Sequence, residues 1–327
     1  MKILVIGLGS MGKRRLRLIQ KIDKGHHIIG VDGNKKRCEE AQTLFGIAAY
    51  ASLDEAKAEN SDIKAVFVCT SPLSHNELIH SCLMNSWNVF TELNLVTDGY
   101  EENMKLAHEK GCILFLSSTF LYRDEISYIR QELKEQEKLN YIYHIGQYLP
   151  DWHPWENYKD FFVQNKRTNG CREIMAIEFP WIIEVFGDVL NYNVLSDKMS
   201  DLEITYHDNF MIQLQHTHGN KGMLIVDIVS PAAVRNLEVY GQNLYLSWNG
   251  TPDGLKQFDC NEKTLKNIHL KGTAEHAAGY SSFVIENAYQ HEIEDFFDVL
   301  LNQKEQRYGF QKDMKILQLI DGIEDIK

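Results

Sequence analysis

Clustered positive charge is what the chain most lacks. It has 34 Lys and Arg against 46 Asp and Glu in 327 residues, a formal net charge of -12. That balance excludes a nucleic-acid surface, because phosphate contacts need grouped Lys and Arg. The one local group, Lys13-Arg14-Arg15 with Arg17, reads as a solvated helix face beside a phosphate-bearing loop. Cysteine is sparse too. The six, at 38, 69, 82, 112, 171 and 260, show no paired spacing of the zinc or redox kind, so reduced thiols in a cytoplasm are expected. No apolar run approaches the roughly 18 residues of a membrane span. With a first strand beginning at residue 2, neither a signal peptide nor an anchor is expected. Repeats and low-complexity tracts are missing as well. What remains is an ordinary globular composition in a chain long enough for two domains.

The informative stretch is the first: Met1-Lys-Ile-Leu-Val-Ile-Gly-Leu-Gly-Ser-Met-Gly12. An apolar run, Ile3 to Ile6, breaks into Gly7-x-Gly9-x-x-Gly12, and then Leu16, Ile19 and Ile22 recur at helical spacing. This predicts strand, tight turn and helix. Gly7 permits the turn, Gly9 lets backbone approach a pyrophosphate, and Gly12 lets helix and strand pack closely. A second apolar run, His27 to Val31, ends in Asp32, where a carboxylate would take the ribose hydroxyls of a dinucleotide. The carboxylate favours NAD over NADP, although Lys35, Lys36 and Arg37 offset part of its repulsion and leave room for NADP.

Alternation of strand and helix continues. Helices are expected over 36–44, from Ser52, after His75 and over 100–110. Strands are expected over 48–50, 63–70, 87–92 and 112–116. Such alternation demands a parallel sheet with helices on both faces, a doubly wound Rossmann domain over 1–120. Ligands bind beyond the carboxyl ends of such strands, which puts Gly7, Gly9, Ser10, Met11, Gly12, Asp32, Thr70, Ser71, Pro72, His75 and Glu92 on one rim as candidate cofactor contacts. After Asp124 the pattern changes. A helix over 125–137, a strand over 141–148 and a helix over 171–186 precede strands at 209–216, 222–229, 235–240 and 243–248. Strands so close together must pair antiparallel. Residues 121–327 are therefore expected to form an α+β domain with a largely antiparallel open sheet. One sheet face needs a cover, which predicts a homodimer or homotetramer through it. Two packing helices, over 283–301 and 311–326, close the chain, the last free to pack back on the first domain.

These motifs resemble the Gfo/Idh/MocA family of nicotinamide-dependent oxidoreductases over nearly the whole chain. Ile6-Gly-Leu-Gly-Ser-Met-Gly-Lys-Arg14 is similar to that family's opening turn, and Thr70-Ser-Pro-Leu-Ser-His75 to its Thr-Pro-x-x-x-His loop. The segment Gly146 to Tyr158 is similar to the start of the substrate domain in members from surface-polysaccharide and sugar-nucleotide pathways. Two departures matter. Where the family has Glu-Lys-Pro after the fifth strand, this chain has Glu92-Leu93-Asn94. Where members carry a proton-shuttling His ten residues before a helix-ending Gly, counting back from Gly187 reaches Ile177.

Hydride transfer to or from a carbinol needs a held nicotinamide and a group that takes or gives the hydroxyl proton. Leu93 and Ile177 cannot supply the second. The replacement expected first is Glu178, beside Ile177, Phe179 and Trp181, where desolvation would raise its pKa. Glu173 comes second, and the plain alternative makes both surface carboxylates or partners of Arg172. Trp152, His153, Trp155 and Tyr158, with Arg172, are candidate substrate contacts, since rings with polar edges stack on sugars or bases. His153 and Tyr158 are reserve proton carriers. The bland reading of that segment is a loop packed on its own domain or on a partner. His216-Thr-His218 has no third ligand in view and reads as structural, so no metal is expected. Without a paired base, Cys171 is taken as inert. The sequence thus points to an NAD-dependent oxidoreductase acting on a sugar or sugar-nucleotide carbon. Its rivals are a catalytically silent dinucleotide- or sugar-binding sensor or partner subunit, and an epimerase or eliminase that keeps NAD bound.

Overall fold

The computed structural model describes residues 1–134, 136, 138–153, 156–270 and 285–325. The chain divides into two compact bodies: Met1–Thr119 with Tyr289–Lys315, and Phe120–Ala288 with Ile316–Lys327.

In the first body, β1 (Lys2–Ile6), β2 (His27–Val31), β3 (Ala48–Tyr50), β4 (Ile63–Val68), β5 (Asn88–Thr91) and β6 (Leu114–Leu116) alternate with α1 (Ser10–Ile22), α2 (Lys35–Phe45), α3 (Leu53–Glu59), α4 (His75–Met84) and α5 (Tyr100–Lys110). The strands form one sheet in the order β3-β2-β1-β4-β5-β6, and each neighbouring pair runs parallel. Parallel strands joined by helices bury both faces, which is why Leu4, Val5, Val66, Phe67 and Val68 have no exposed surface. Local signals place the helix ends. Asn34 and Ser52 side chains cap α2 and α3 by accepting from the N–H groups of Lys36 and Glu55, and α2 ends at Gly46, whose positive φ of 65° a side chain would resist.

The second body contains α6 (Asp124–Leu133), β7 (Asn140–Gly146), α7 (Gly170–Phe186), β8 (Val189–Asp197), β9 (Asn209–His216), β10 (Lys221–Asp227), β11 (Val234–Gly241), β12 (Leu244–Trp248), β13 (Lys256–Asp259) and β14 (Thr264–Asn267). The sheet order is β14-β13-β12-β11-β7-β10-β9-β8. All pairs are antiparallel except β7 with β10, a parallel pairing made feasible because α7 lies in the long crossover between them. One sheet face is core: Tyr141 stacks on Phe186 at 4.2 Å between ring centres, and Tyr143 meets Trp181 edge-on at 5.4 Å. On the other face Ile142, Leu195, Met211 and Tyr240 are each at least 41% exposed.

Three features differ from the expectations. β8 went unforeseen because its apolar residues Leu190 and Leu195 point outward, 69% and 74% exposed, so the strand does not show the usual alternation. The segment predicted as an aromatic loop contains short 3-10 turns at Leu149–Asp151, Tyr158–Asp160, Phe162–Gln164 and Lys166–Thr168. The first domain also does not end at residue 120. Helix α8 (Glu286–Asn302), from Tyr289 on, belongs to the first body. There Phe296 meets Phe67, Phe90 and Phe115 of β4, β5 and β6 at 5.3 to 5.5 Å. Helix α9 (Phe310–Asp325) gives residues 310–315 to the first body and the rest to the second.

Candidate functional site

The glycine turn is as tight as its sequence demands. Gly7 has φ +88°, and a Cβ there would lie 2.8 Å from the Cys69 carbonyl oxygen. A Cβ on Gly12 would collide with the carbonyl of Gly7. Gly9 caps α1 with no side chain to satisfy the helix start, and a Cβ there would meet only the Arg37 guanidinium, at 3.7 Å. The turn therefore opens the amino-terminal N–H groups of α1, the region of Ser10 and Met11, toward an anion. Asp32 braces the turn as well as facing the rim. Its Oδ2 accepts the Leu8 N–H at 2.8 Å and its Oδ1 the Asn34 N–H at 2.8 Å, with lone pairs to spare for ribose hydroxyls. Arg37 Nη1 stands 3.7 Å from Asp32 Oδ2. Of the three basic residues after β2, this one is at the carboxylate. These residues fit a dinucleotide pyrophosphate and ribose.

The next two rim segments work from behind. Ser74 Oγ donates to the Ser71 carbonyl at 2.8 Å and lies 2.8 Å from Thr70 Oγ1, whose hydroxyl can donate to it, tightening the loop that Pro72 opens. His75 is buried. Its Nε2 lies 3.0 Å from the Thr70 carbonyl and its Nδ1 2.5 Å from the Asn94 side-chain amide. Burial lowers its pKa, and a neutral imidazole has one N–H. With that given to Thr70, Asn94 must turn its NH2 toward Nδ1. His75 is thus a clamp between two rim segments, a correction to its reading as a cofactor contact. Glu92 is corrected likewise: its carboxylate is gripped by the Arg15 fork, Nε to Oε1 at 2.6 Å and Nη2 to Oε2 at 3.0 Å. Leu93, in the family's Lys position, is half-buried.

In the second body the two candidate carboxylates part company. Glu178 has no exposed surface. It accepts from Tyr143 Oη at 2.8 Å and Trp181 Nε1 at 2.6 Å, and it forms an ion pair with Arg235. With its acceptors committed to three core partners, Glu178 is a structural carboxylate rather than the proton carrier expected first. Glu173, in the first turn of α7, keeps some exposed surface, but its Oε2 is buried without a hydrogen-bond partner. Burial alone pushes its pKa up to about 8. Arg172 turns away, forming ion pairs with Asp321 and Glu324. It ties α7 to the last helix, which corrects its reading as a substrate contact. Trp152 donates Nε1 to the Gln147 carbonyl at 3.0 Å and packs its ring edge beside Gly170. His153 lies edge-on to Phe161 at 4.5 Å, and burial lowers its pKa. Tyr158 Oη accepts the Glu203 N–H at 3.1 Å. Trp155 lies outside the described residues. His216 is held by Tyr141 Oη at 2.9 Å and the Gly187 carbonyl at 2.7 Å, the structural role expected of it. Burial raises the Cys171 thiol. Arg14 and Arg15, read from the sequence as part of a solvated helix face, are instead buried, and sequence reasoning missed Arg235 and Glu292, whose partners come from elements distant in the chain.

A parallel sheet opened by this glycine turn is the architecture of a dinucleotide-binding Rossmann domain. Residues 1–118 match the GFO_IDH_MocA model, an oxidoreductase family with an NAD-binding Rossmann fold. Residues 1–118 are thus similar to the NAD-binding Rossmann domain of that family. No curated protein matches the chain. Among solved structures the chain is similar to levoglucosan dehydrogenase in complex with NADH, with TM-score 0.81 at 12% identity over 99% of this chain and 95% of that one. It is also similar to the UDP-N-acetylglucosamine 3-dehydrogenase GnnA of Acidithiobacillus ferrooxidans, with TM-score 0.74 at 16% identity over 99% and 96%. Biliverdin reductase of Synechocystis sp. PCC 6803, in complex with biliverdin and NADP+, gives TM-score 0.73 at 15% identity over 98% and 97%. At such identities the likeness is one of fold. Among the described residues no helix is long and apolar enough to cross a membrane, and no group of three side chains could hold a metal ion.

Proposed function

We propose that the chain is an NAD-dependent oxidoreductase acting on a carbinol carbon of a sugar or sugar nucleotide, with Glu173 as the proton carrier. When bound, the nicotinamide supplies the hydride acceptor or donor. The chain supplies the proton. In oxidation the substrate hydroxyl gives its proton to the Glu173 carboxylate as hydride leaves the carbon. In reduction the neutral Glu173 acid returns that proton to the forming alkoxide. The observation that carries this reading is the state of Glu173: a carboxyl with a buried, unpartnered oxygen, titrating near neutrality at about 8, where acid and base forms are both accessible. A sugar substrate is supported by the levoglucosan and UDP-N-acetylglucosamine dehydrogenases among the similar folds, while biliverdin reductase marks the breadth of the fold. The exposed apolar row on the second sheet supports the expected homo-oligomer. Met211 pairs in register with Ile225 and Leu195, so their side chains share that face, which suits a second copy of the chain.

Substrate-dependent change in NADH absorbance across a panel of sugars and sugar nucleotides tests the reading. Glu173→Gln should abolish turnover and leave NADH affinity within about twofold. Turnover that survives the substitution removes Glu173 from the role. NADH binding with no turnover by any panel member favours the silent sensor, the reading that Leu93 and Ile177 support. Substrate conversion without net NADH favours the epimerase or eliminase.

A further inference from the structure

The nicotinamide half of the first body is completed by a helix from far along the chain. In a doubly wound sheet one half takes the adenosine and the other the nicotinamide nucleotide. Here those halves are β1 to β3, with Asp32, and β4 to β6. After β6 the chain leaves this body at Thr119, and α8 covers β4, β5 and β6 through Phe296. Four residues before Phe296, Glu292 has no exposed surface. Its Oε1 accepts the Ser118 N–H at 2.6 Å, and its Oε2 accepts Arg15 Nη2 at 2.7 Å and Thr119 Oγ1 at 3.1 Å. Ser117 Oγ lies 3.0 Å from both oxygens. Arg15, also without exposed surface, grips Glu92 at the end of β5, donates to the Tyr289 carbonyl at 3.3 Å and lies over the Phe90 ring at 4.6 Å. One carboxylate from α8 therefore joins the helix after the glycine turn to the ends of β5 and β6. Burying these three charges is costly, and apolar packing would hold α8 as firmly. The polar network adds directionality, fixing where the strand ends lie.

We infer that Glu292 and Arg15 are positioning residues for the nicotinamide half of the dinucleotide, holding the carboxyl ends of β5 and β6 where that half must be received. Neither residue need touch the cofactor. Arg14, over the Tyr289 ring at 4.6 Å, and Cys69, 3.8 Å from Glu92 Oε1, also lie beside the network. Burial, followed by the Arg15 attraction that opposes it and the Glu92 charge that reinforces it, leaves the Glu292 pKa raised. Its hold on Arg15 therefore weakens toward acid pH.

The test separates the halves with two ligands. NADH carries both, and ADP-ribose lacks the nicotinamide. Titration of the full chain by fluorescence and calorimetry should show Glu292→Gln and Arg15→Lys weakening NADH by about tenfold, the scale of one charge-assisted hydrogen bond. ADP-ribose should stay within about twofold of the unmodified chain. Unchanged NADH affinity in both variants overturns the inference. So does an equal loss of both ligands, which would mark the network as general scaffold. Should Glu292→Gln not fold, Arg15→Lys, which keeps the charge and loses only the fork, decides alone. An unmodified chain that binds neither ligand overturns the inference together with the cofactor reading beneath it, whereas the selective outcomes bear on the network only.

Discussion

Glu173→Gln makes the sharpest prediction, because it links the proposed chemistry to folding. The folded chain holds the Glu173 proton up to about pH 8, and the unfolded chain releases it near the ordinary 4.5. Between these values the folded state binds more protons, so stability falls as pH rises, by about 1.4 kcal/mol per unit, and levels off above the window. The full span is about 5 kcal/mol by that arithmetic. Since the side chain keeps part of its surface in water, screening reduces this to about 2 kcal/mol. Glutamine has the shape of the neutral acid and does not titrate. Variant and parent should therefore be equally stable at about pH 5, with the variant about 2 kcal/mol more stable at about pH 9. Urea unfolding followed by tryptophan fluorescence measures this well, because among the described residues Trp152, Trp181 and Trp248 lie in the second body and Trp87 in the first. A stability difference that does not change with pH refutes the reasoning. So does an infrared difference spectrum at neutral pH with no protonated-carboxyl band assignable to Glu173.

Three further outcomes are expected. Arg235→Met leaves Glu178 buried without its counter-ion and should cost about 3–5 kcal/mol, read as a lowered urea midpoint; Arg235→Met with Glu178→Gln should recover part of it. Arg37→Gln, removing the cation 3.7 Å from Asp32, should weaken NADPH about tenfold relative to NADH, and an unchanged ratio of the two dissociation constants would clear Arg37 of any part in cofactor choice. Met211→Glu puts a charge in the exposed apolar row of the second sheet and should lower the mass measured by light scattering with unchanged circular dichroism; a mass equal to that of the parent chain would place the contact elsewhere.

Legibility in the sequence followed the range of the interactions. The glycine turn could be read residue by residue because its constraint is local: a positive φ at Gly7 and a missing Cβ at Gly12 are properties of those residues. Ser52, foreseen as a cap, does cap α3, and helix α5 runs over the residues expected, 100–110. Strand β8 was not legible, since an edge strand with outward apolar residues lacks the alternation that reports a core. Which of the two carboxylates of α7 is held by core partners was not legible for a similar reason. Five residues apart on one helix, Glu173 and Glu178 look equivalent until Arg235 and Tyr143 arrive from β11 and β7 to claim one of them.

By itself, then, the order of residues determined the alternation of strands and helices, the tight glycine turn, the carboxylate that follows β2, and Leu and Ile at positions 93 and 177. These depend on backbone sterics and on periodicities of two to four residues. Only the tertiary structure decided that α8 closes the sheet over β4 to β6, that Glu92 and Glu178 are held by arginines, and that Glu173 keeps an unpartnered oxygen. A charge's partner, and so its protonation, is set by what folding brings within about 4 Å of it, and no short window of sequence contains that.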